Sequence, residues 1–421
     1  MIDAIERRGE MSGESVEAVY RAEKLDACIK CSACTAECPV AGVNPLFPGP
    51  KAAGPDAERL RLEGIFFDEL VLGLCSNCKT CELTCPSGVN ITDLIMEARR
   101  KASLQGTIKK SQSYRLRALV LGRAEYLGIL GAIWAPATNF VLRKKTVRVL
   151  LEKMIGIGRN APLPDYHPKF MAKTRSNLNT KQVVYFPGCY SSYNDALTAK
   201  AIVQVLEHNG FSVITPSFRC CGVPLQSNDQ FVQAEANALH NLRLLAPYLE
   251  QGIPVVASCP SCTLSLKQEY PKYYSPGAEL IALHTYDLFE FLWELYEKGE
   301  LRQDFQSSSN RVGYHAPCHL KAQGIGTPAV RLLRLIPGFQ VKDIDSGCCG
   351  LSGSYGFKEE NYALGMEIGE PLFEKVRSGL KTMDFSEITT ECGTCNIQIT
   401  HGTGVQVRNP IWYFIEAYGL A

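Results

Sequence analysis

The sequence lacks an excess of charge of either sign. Its 44 Lys and Arg residues nearly balance its 43 Asp and Glu residues, which leaves a net charge of +1. A protein that attracts nucleic acid through its surface field needs a clear basic excess, so this balance argues against a nucleic-acid partner. The first ten residues, MIDAIERRGE, mix acidic and basic side chains and contain no apolar core. We therefore predict no secretory signal peptide and a protein exposed to the cytoplasm.

The sequence also lacks low-complexity segments and the strong polar bias of disordered proteins. It has 421 residues, of which 46% are hydrophobic and 21% are charged. This composition and length predict a globular protein with two or three domains.

Cysteine is the residue type that stands out. Eighteen cysteines in a long chain without a predicted export signal are better explained by bound metal than by disulfides. Eight of them form two copies of the pattern C-x2-C-x2-C-x3-C-P, which are Cys28, Cys31, Cys34 and Cys38, and Cys75, Cys78, Cys81 and Cys85. The other ten form two sets of five, which are Cys189, Cys220, Cys221, Cys259 and Cys262, and Cys318, Cys348, Cys349, Cys392 and Cys395.

The first pattern is typical of proteins that bind two cubane [4Fe-4S] clusters. Three cysteines at two-residue intervals surround one cluster, and the fourth, before proline, reaches the neighbouring cluster. We therefore assign one cluster to Cys28, Cys31, Cys34 and Cys85, and the other to Cys75, Cys78, Cys81 and Cys38. Two zinc sites are the alternative, but zinc sites are usually built from separate pairs of cysteines.

The sets of five cysteines belong to an internal repeat. Cys318 follows Cys189 by 129 residues, and Cys395 follows Cys262 by 133. Each copy alternates short apolar runs with helical stretches, and the runs are VVYFPGC, FSVIT and IPVVASC in the first copy and VGYHAPC, FQVKDI and FSEITTEC in the second. This alternation predicts two α/β modules with parallel sheets, whose cysteines converge at the carboxyl ends of the strands.

Each set of five holds more thiols than a zinc ion or a cubane cluster needs. A glycine, Gly222 or Gly350, follows each adjacent cysteine pair and permits the sharp bend that would turn both thiols toward one site. An iron-sulfur cluster with five cysteine ligands is chemically reasonable there. Buried inert cysteines and a vicinal disulfide redox centre are the alternatives.

The predicted fold class is therefore α/β and multi-domain. We expect a helical ferredoxin-like domain over residues 1–110, with helices around residues 65–74 and after Asn90. A basic and apolar connecting segment follows over 111–180. The first Cys-Cys-Gly module then spans 181–305, and the second spans 306–421.

The sequence contains no flavin or nicotinamide fingerprint. Iron-sulfur clusters usually pass single electrons, so we expect no flavin in this chain and a flavoprotein partner that oxidises the substrate. His315 and His319 flank Cys318, where an imidazole could hydrogen-bond cluster sulfide or supply a proton to a quinone. Packing beside the cluster is the simpler interpretation, and neither histidine is assigned a catalytic role.

The connecting segment is strongly basic. Between residues 109 and 159, eleven basic side chains oppose two acidic ones. Residues 126–142 are uncharged, but these 17 residues include Pro136 and Asn139 and are shorter than the roughly 20 that a spanning helix needs. We predict an interfacial or re-entrant contact with the cytoplasmic membrane surface, aided by attraction to anionic lipid. The alternative is that this segment packs on a partner or on the modules.

The double cluster pattern followed by two Cys-Cys-Gly modules resembles a family that includes the B subunits of heterodisulfide reductases, glycolate oxidase iron-sulfur subunits and the iron-sulfur C subunits of anaerobic glycerol-3-phosphate dehydrogenases. The C subunits are favoured by NPLFPGPKAAGPDAERLR (44–61), GFKEENY (356–362) and IGEPLFEK (368–375). The resemblance covers nearly all of residues 25–421, and the first domain is also similar to the helical ferredoxin domain of succinate dehydrogenase iron-sulfur subunits.

This resemblance implies that the chain passes electrons from flavoprotein dehydrogenase subunits to menaquinone or another quinone, as a peripheral protein on the cytoplasmic side of the membrane. It implies one or two noncubane [4Fe-4S] clusters on the two sets of five cysteines. It also admits two rivals, a thiol/disulfide reductase and the iron-sulfur subunit of a lactate or glycolate oxidase. It assigns no role to residues 1–22.

Overall fold

The computed structural model describes residues 27–65, 69–106, 111–171, 180–274, 278–344 and 346–420. Residues 1–22, to which the sequence assigns no role, lie outside the described residues, and so do two of the basic side chains counted above, Lys109 and Lys110.

The two cysteine-rich runs lie among short helices, which are α1 (Ala33–Ala36), α2 (Ala57–Leu62), α3 (Thr80–Leu83) and α4 (Ile91–Gln105), with a π-helical turn at Ala52–Asp56 and a 3₁₀-helix at Glu69–Leu74. Helix α4 begins directly after Asn90 and buries the side chains of Ile91 and Ile95. The Asn90 side chain makes no capping hydrogen bond. Instead, the backbone amide of Thr92 donates to Glu82 Oε1 at 2.8 Å, so α3 supplies an acceptor that the Asn90 side chain does not.

The helix predicted around residues 65–74 is a 3₁₀-helix over Glu69–Leu74. Residues 66–68 lie outside the described residues.

The described part of the connecting segment, residues 111–171, forms the helices α5 (Gln112–Gly122), α6 (Ala124–Ile133), α7 (Ala135–Leu142) and α8 (Lys145–Ile155). The uncharged stretch is broken at Trp134, whose ψ of 52° is not helical. Within the described ranges, no helix combines the length and the apolar character that crossing a membrane requires.

Several of the basic side chains in this segment have structural partners, and two of them are buried. The Arg117 guanidinium donates to both carboxylate oxygens of Glu360, at 2.6 and 2.7 Å. The buried guanidinium of Arg148 donates to the carbonyl oxygens of Gly158 and Arg159. Arg117 therefore ties α5 to the second module, whereas Arg148 ties α8 to the chain that follows it, and only part of the predicted basic surface faces solvent.

Two four-stranded sheets follow, formed by β1 (Lys181–Phe186), β2 (Phe211–Ile214), β3 (Val255–Ala257) and β4 (Thr285–Asp287), and by β5 (Arg311–Tyr314), β6 (Gln340–Asp343), β7 (Glu387–Thr389) and β8 (Val407–Arg408). Their strand orders are β2-β1-β3-β4 and β6-β5-β7-β8, and all the pairings are parallel. The repeat and the parallel α/β fold class predicted from the sequence are confirmed. Strands β4 and β8 were not predicted, because three and two residues are too short to form a recognisable apolar run.

The helices of the first module are α9 (Gly188–Tyr193), α10 (Ala196–His208), α11 (Val223–Gln226), α12 (Phe231–Leu249), α13 (Pro260–Leu264), α14 (Glu279–His284) and α15 (Leu288–Glu297), with a π-helical segment at Ser265–Tyr274. Those of the second are α16 (Cys318–Lys321), α17 (Pro328–Leu333), α18 (Glu359–Lys381), α19 (Gly393–Thr403) and α20 (Ile411–Ala417), with a 3₁₀-helix at Tyr355–Phe357.

The two modules share one hydrophobic core. Helix α10 of the first module packs against α20 of the second, and α15 packs against α17. The fully buried side chains of Tyr185 and Tyr314, near the ends of the central strands β1 and β5, both belong to this core. Because these strands are buried on both faces, they consist of almost continuous apolar residues, as parallel central strands require.

Candidate iron-sulfur centres

Four cysteines from the two runs surround one small cavity. Cys28, Cys31 and Cys34 come from the first run and Cys85 from the second. Burial raises the pKa of the Cys34 thiol, and the charges of Cys85 and Cys28 raise it further. This is the grouping that the crossed assignment of ligands requires. We call it site 1.

The other four cysteines of the runs, Cys38, Cys75, Cys78 and Cys81, also influence one another. Burial raises the pKa of Cys75 to about 12, and the charges of Cys78 and Cys38 contribute to the rise. The pKa of Cys81 is raised by burial and then by Cys75, Cys78 and Cys38. Cys38 therefore lies with the second run. We call this group site 2.

Both runs bend in the same way around their thiols. Lys30 and Ser32 flank Cys31, with φ angles of 60° and 65°, and Asn77 and Lys79 flank Cys78, with φ angles of 55° and 62°. Left-handed conformations are uncommon outside glycine and cluster at functional sites, where the surrounding structure holds them in place. The repeated strain shows that each loop is shaped around its cysteines.

Five thiols of the first module converge at the carboxyl edge of its sheet, and we call this group site 3. Cys220 Sγ lies 3.8 Å from Cys189 Sγ, and Cys262 Sγ lies 3.4 Å from Cys221 Sγ. Cys259 hydrogen-bonds with Cys262, and this bond lowers the pKa of Cys259. The sequence alone predicts this convergence, because β1, β2 and β3 each lead into a cysteine segment.

The five thiols of the second module form an equivalent group, which we call site 4. Hydrogen bonds from Cys318 and Cys349 hold the pKa of Cys348 well below its usual value. A hydrogen bond from Cys395 lowers the pKa of Cys392 to about 6. In the first module, bonds from Cys220 and Cys262 lower the pKa of Cys221 to about 6 in the same way.

Glycine makes the bend after each adjacent cysteine pair. Gly222 and Gly350 have φ angles of 104° and 88°, which side-chain-bearing residues rarely adopt. The backbone amide of Gly350 donates to Cys348 Sγ at 3.3 Å. Amides directed at sulfur stabilise negative charge on a thiolate or a cluster.

The donor sets fit iron-sulfur clusters. All eighteen cysteines are free, so neither adjacent pair forms a vicinal disulfide. Each site gathers four or five thiols, the preferred ligands of iron-sulfur clusters, and backbone amides donate to some of them. Structural zinc sites take four ligands, usually from separate pairs of cysteines, so two runs of four and two sets of five cysteines fit iron-sulfur clusters better than zinc.

The four sites lie next to one another. Cys34 of site 1 belongs to the same buried cluster as Cys38 and Cys81 of site 2. Burial raises the pKa of Cys38 and Cys78 in site 2, and the charge of Cys348 in site 4 raises both further. The thiols of Cys259 in site 3 and Cys392 in site 4 also interact electrostatically. Site 2 therefore adjoins site 4, and site 4 adjoins site 3.

The residue after the first cysteine of each module reaches the other module. His319 Nδ1 lies 2.8 Å from Ser261 Oγ, and its Nε2 lies 3.0 Å from the carbonyl oxygen of Asn77. At the equivalent position, the Tyr190 ring lies against Gly393, where an added Cβ would come within 2.1 Å of it. His319 thus joins sites 2, 3 and 4. Tyr190 was missed from the sequence, although its position matches that of His319 in the repeat.

His315 and Glu125 complete the surroundings of the sites. His315 is buried, which lowers its pKa to about 4, and its Nδ1 has no hydrogen-bond partner within the described ranges. Glu125 of α6 accepts a hydrogen bond from the backbone amide of Cys220 at 2.8 Å. This second contact was not predicted, since the sequence offers no link between an acidic residue of the connecting segment and a cysteine 95 positions later.

Comparisons with known proteins match these features. The 4Fe-4S dicluster domain family matches residues 24–89, which include all eight cysteines of the two runs. The cysteine-rich domain family matches twice, over residues 183–267 and 312–400, and these ranges contain the two sets of five cysteines. The C subunit of the anaerobic glycerol-3-phosphate dehydrogenase of Escherichia coli (strain K12) is 36% identical over 93% of this chain and 98% of its own length. The chain belongs to this family of C subunits.

More distant relatives of this C-subunit family member agree with the predicted resemblance. The D subunit of the dihydromethanophenazine:CoB–CoM heterodisulfide reductase of Methanosarcina acetivorans is 24% identical over 83% of this chain and 95% of its own length. The glycolate oxidase iron-sulfur subunit of Escherichia coli (strain K12) is 27% identical over 80% of this chain and 82% of its own length. The predicted family and the predicted iron-sulfur cofactors are confirmed.

Proposed function

We propose that the chain is the electron-transfer subunit of a glycerol-3-phosphate dehydrogenase complex, and that it passes electrons from a flavoprotein partner to a membrane quinone. The iron-sulfur clusters would take up and release single electrons, which the polypeptide alone cannot do. The observation that carries the proposal is the adjacency of the sites, from site 1 through site 2 to the two module sites, which meet site 2 at His319.

In this proposal Cys28, Cys31, Cys34 and Cys85 hold one cubane cluster, and Cys38, Cys75, Cys78 and Cys81 hold the other. The five cysteines of each module hold a noncubane [4Fe-4S] cluster. The turn at Gly222 or Gly350 lies beside these cysteines. We keep the domain limits proposed from the sequence, which are 1–110, 111–180, 181–305 and 306–421. With these limits, the cysteines of sites 1 and 2 all fall in the first domain, and those of sites 3 and 4 each fall in one module.

Electrons enter at site 1 in this proposal. Cys31 is the exposed cysteine of the eighteen, and the other seventeen are buried or half-buried. Large apolar side chains near the cysteine runs also face solvent, with Ile29 67% exposed, Leu46 75% and Leu83 53%. Exposed apolar side chains around a redox centre suit a protein partner, and here the partner would be the flavoprotein.

Membrane contact is the second part of the proposal. The tip formed by α6 and α7 exposes Leu130, Ile133, Trp134 and Phe140, each at least 62% accessible. The exposed cations Lys144 and Lys145 follow closely. Apolar insertion together with attraction of about 1 kcal/mol per cation near anionic lipid favours a peripheral, interfacial location.

A flotation assay tests membrane contact. The anaerobically purified chain should float with vesicles that contain phosphatidylglycerol, and Trp134→Ser combined with Ile133→Ser should reduce the floated fraction several-fold. The matched control exchanges two exposed apolar residues elsewhere, Leu197→Ser and Val232→Ser, and should float like the unaltered protein. Equal loss in both double variants would contradict the membrane assignment.

Reduction of the purified chain by a flavoprotein partner tests the central proposal. The partner dehydrogenase and glycerol 3-phosphate should bleach the visible absorption of the anaerobic chain, whereas lactate or glycolate with the same partner should not. If no alcohol-flavoprotein pair reduces a chain that dithionite does reduce, the proposed function is wrong.

Thiol/disulfide reduction is the alternative function, and one observation favours it. Cys259 and Cys392 bring the two five-thiol sites next to each other, and a relative is named as part of a heterodisulfide reductase. A reduced chain that cleaves a mixed thiol disulfide on its own would support this alternative. Failure to do so while its clusters are intact would count against it.

A further inference from the structure

A cavity lies between site 3 and helix α6. It leaves about 140 Å³ open to water-sized molecules. Cys189 and Cys220 of site 3 line it together with Glu125, the second residue of α6. This cavity therefore connects a cysteine site of the modules directly to the connecting segment.

The remaining lining combines apolar surface with hydrogen-bonding groups. Phe170 and Phe218 contribute aromatic side chains. The Thr215 hydroxyl is buried and has no hydrogen-bond partner in the parts of the chain that the structure describes. Lys169 and Arg219 are exposed cations that also line the cavity. Aromatic side chains can pack against a small ring compound, and the cations and the hydroxyl can donate to its carbonyl oxygens.

The cavity lies next to the exposed apolar surface of α6. Helix α6 begins beside it and presents Ile129, Leu130 and Ile133 to solvent. The same helix packs closely on α9, which carries Cys189, because a Cβ at Gly128 would come within 2.6 Å of the Tyr193 ring. An apolar surface, a cavity and a cysteine site are thus held together by one tight helix contact.

We propose that this cavity binds the ring of a lipophilic quinone, whose hydrocarbon tail lies along the apolar side chains of α6 and α7. The inference rests on the proposed function and adds a location to it. Electrons that enter at site 1 reach the module sites through site 2 in this proposal, and site 3 is the module site whose cysteines line this cavity. The Thr215 hydroxyl and the Lys169 ammonium are the groups we assign to the ring carbonyls.

The chemistry balances within the complex. The flavoprotein's alcohol substrate loses two electrons and two protons and becomes a carbonyl compound. The quinone gains two electrons, delivered one at a time through this chain, and two protons from water at the exposed cavity rim. Both of its carbonyl oxygens become hydroxyl groups, and no other oxidant or reductant is required.

Binding of menadione, a naphthoquinone without a tail, tests the site. The full chain is purified anaerobically with its clusters oxidised, so that no electron transfer occurs, and the dissociation constant is measured by calorimetry. Ser217→Trp places a large ring on an exposed lining residue and should weaken binding at least tenfold. Ser307→Trp makes the same change at an exposed position away from the cavity and should bind like the unaltered chain. Thr215→Val keeps the side-chain shape and should weaken binding about two- to tenfold, as loss of one hydrogen bond does.

The electron paramagnetic resonance spectrum of each dithionite-reduced variant serves as a second readout and should stay unchanged. Absence of menadione binding to the unaltered chain would overturn the inference, and so would unchanged affinity in Ser217→Trp and Thr215→Val. These outcomes are separate from failure of the proposed function, in which the flavoprotein would not reduce the chain at all.

Discussion

The glycine after each adjacent cysteine pair gives a prediction in which the two modules should behave differently. At Gly350 an added Cβ would lie 1.8 Å from the carbonyl oxygen of Gly365, a backbone atom of α18 that cannot rotate away. At Gly222 the nearest atom to an added Cβ is the Cβ of Ala234 at 3.4 Å, which is close to an ordinary contact. The same substitution therefore meets a severe clash in one module and none in the other.

The expected cost follows from these distances. Both glycines have positive φ, so alanine costs about 1 to 3 kcal/mol of backbone strain at either position. At Gly350 the clash adds about 1 to 3 kcal/mol of overpacking, and the two costs together are a large part of the about 5 to 15 kcal/mol that stabilises a typical domain. Gly350→Ala should thus displace α18 from the turn that holds Cys348 and Cys349.

The assay compares Gly350→Ala, Gly222→Ala and Gly324→Ala after anaerobic purification. Gly324 has a φ of 71° with nothing within 4 Å of an added Cβ, so its variant reports backbone strain alone. We expect Gly350→Ala to lose iron and the spectroscopic signal of site 4, and to unfold at a clearly lower temperature than the other two variants. Equal iron content and equal unfolding temperatures in Gly350→Ala and Gly222→Ala would refute the packing argument.

Three further predictions concern the cysteine sites, a buried ion pair and a buried acid. Cys220→Ser and Cys348→Ser should each remove one distinct signal from the electron paramagnetic resonance spectrum of the reduced protein, because they belong to sites 3 and 4; loss of the same signal in both variants would contradict two separate sites. The buried Arg99 guanidinium lies 2.5 Å from the Asp229 carboxylate. Asp229→Ala removes this opposing charge and should lower the free energy of unfolding by about 3 to 5 kcal/mol. The control Asp165→Ala breaks the exposed ion pair with Arg143 and should lower the free energy of unfolding by about 0 to 1 kcal/mol in chemical denaturation. Similar decreases in the two variants would contradict the claim that burial makes the Arg99–Asp229 pair more important. Burial raises the pKa of Asp287 to about 7. Between about pH 4 and pH 7 the folded protein therefore keeps a proton that the unfolded chain has lost, and the free energy of unfolding should fall as the pH rises through this range. Asp287→Asn retains a capping oxygen for α15 and should flatten this dependence in unfolding temperatures measured at about pH 5.5 and 8, whereas an unchanged slope would assign it to other groups.

The cysteine patterns made most of the fold and the site predictable. A repeated spacing of five cysteines and three apolar runs is enough to define two parallel modules, because parallel strands deliver the residues that follow them to one edge. The sequence could not reveal β4 and β8, because these short strands form by pairing with β3 and β7 and contain no recognisable apolar run. It also missed the left-handed residues around Cys31 and Cys78, since Lys, Ser and Asn occupy positions where glycine would have signalled such a bend.

Contacts between distant segments were also beyond the sequence. Cys348 lies near site 2, and Cys259 lies near Cys392, because of how whole domains pack against one another. The basic connecting segment illustrates the same limit, because Arg117 and Arg148 count as surface charge in the sequence but bind Glu360 and backbone carbonyls in the folded protein.

The reciprocal contacts of Tyr190 and His319 bear on the ancestry of the chain. When a residue of one copy touches the helix that carries the last cysteine of the other copy, and the converse also holds, the arrangement has the symmetry of a homodimer. Such symmetry is what duplication and fusion of a gene for a self-associating single module would leave. The two halves differ at matching places, because Tyr185 hydrogen-bonds with Ser258 in one half, whereas Tyr314 donates to Glu391 in the other.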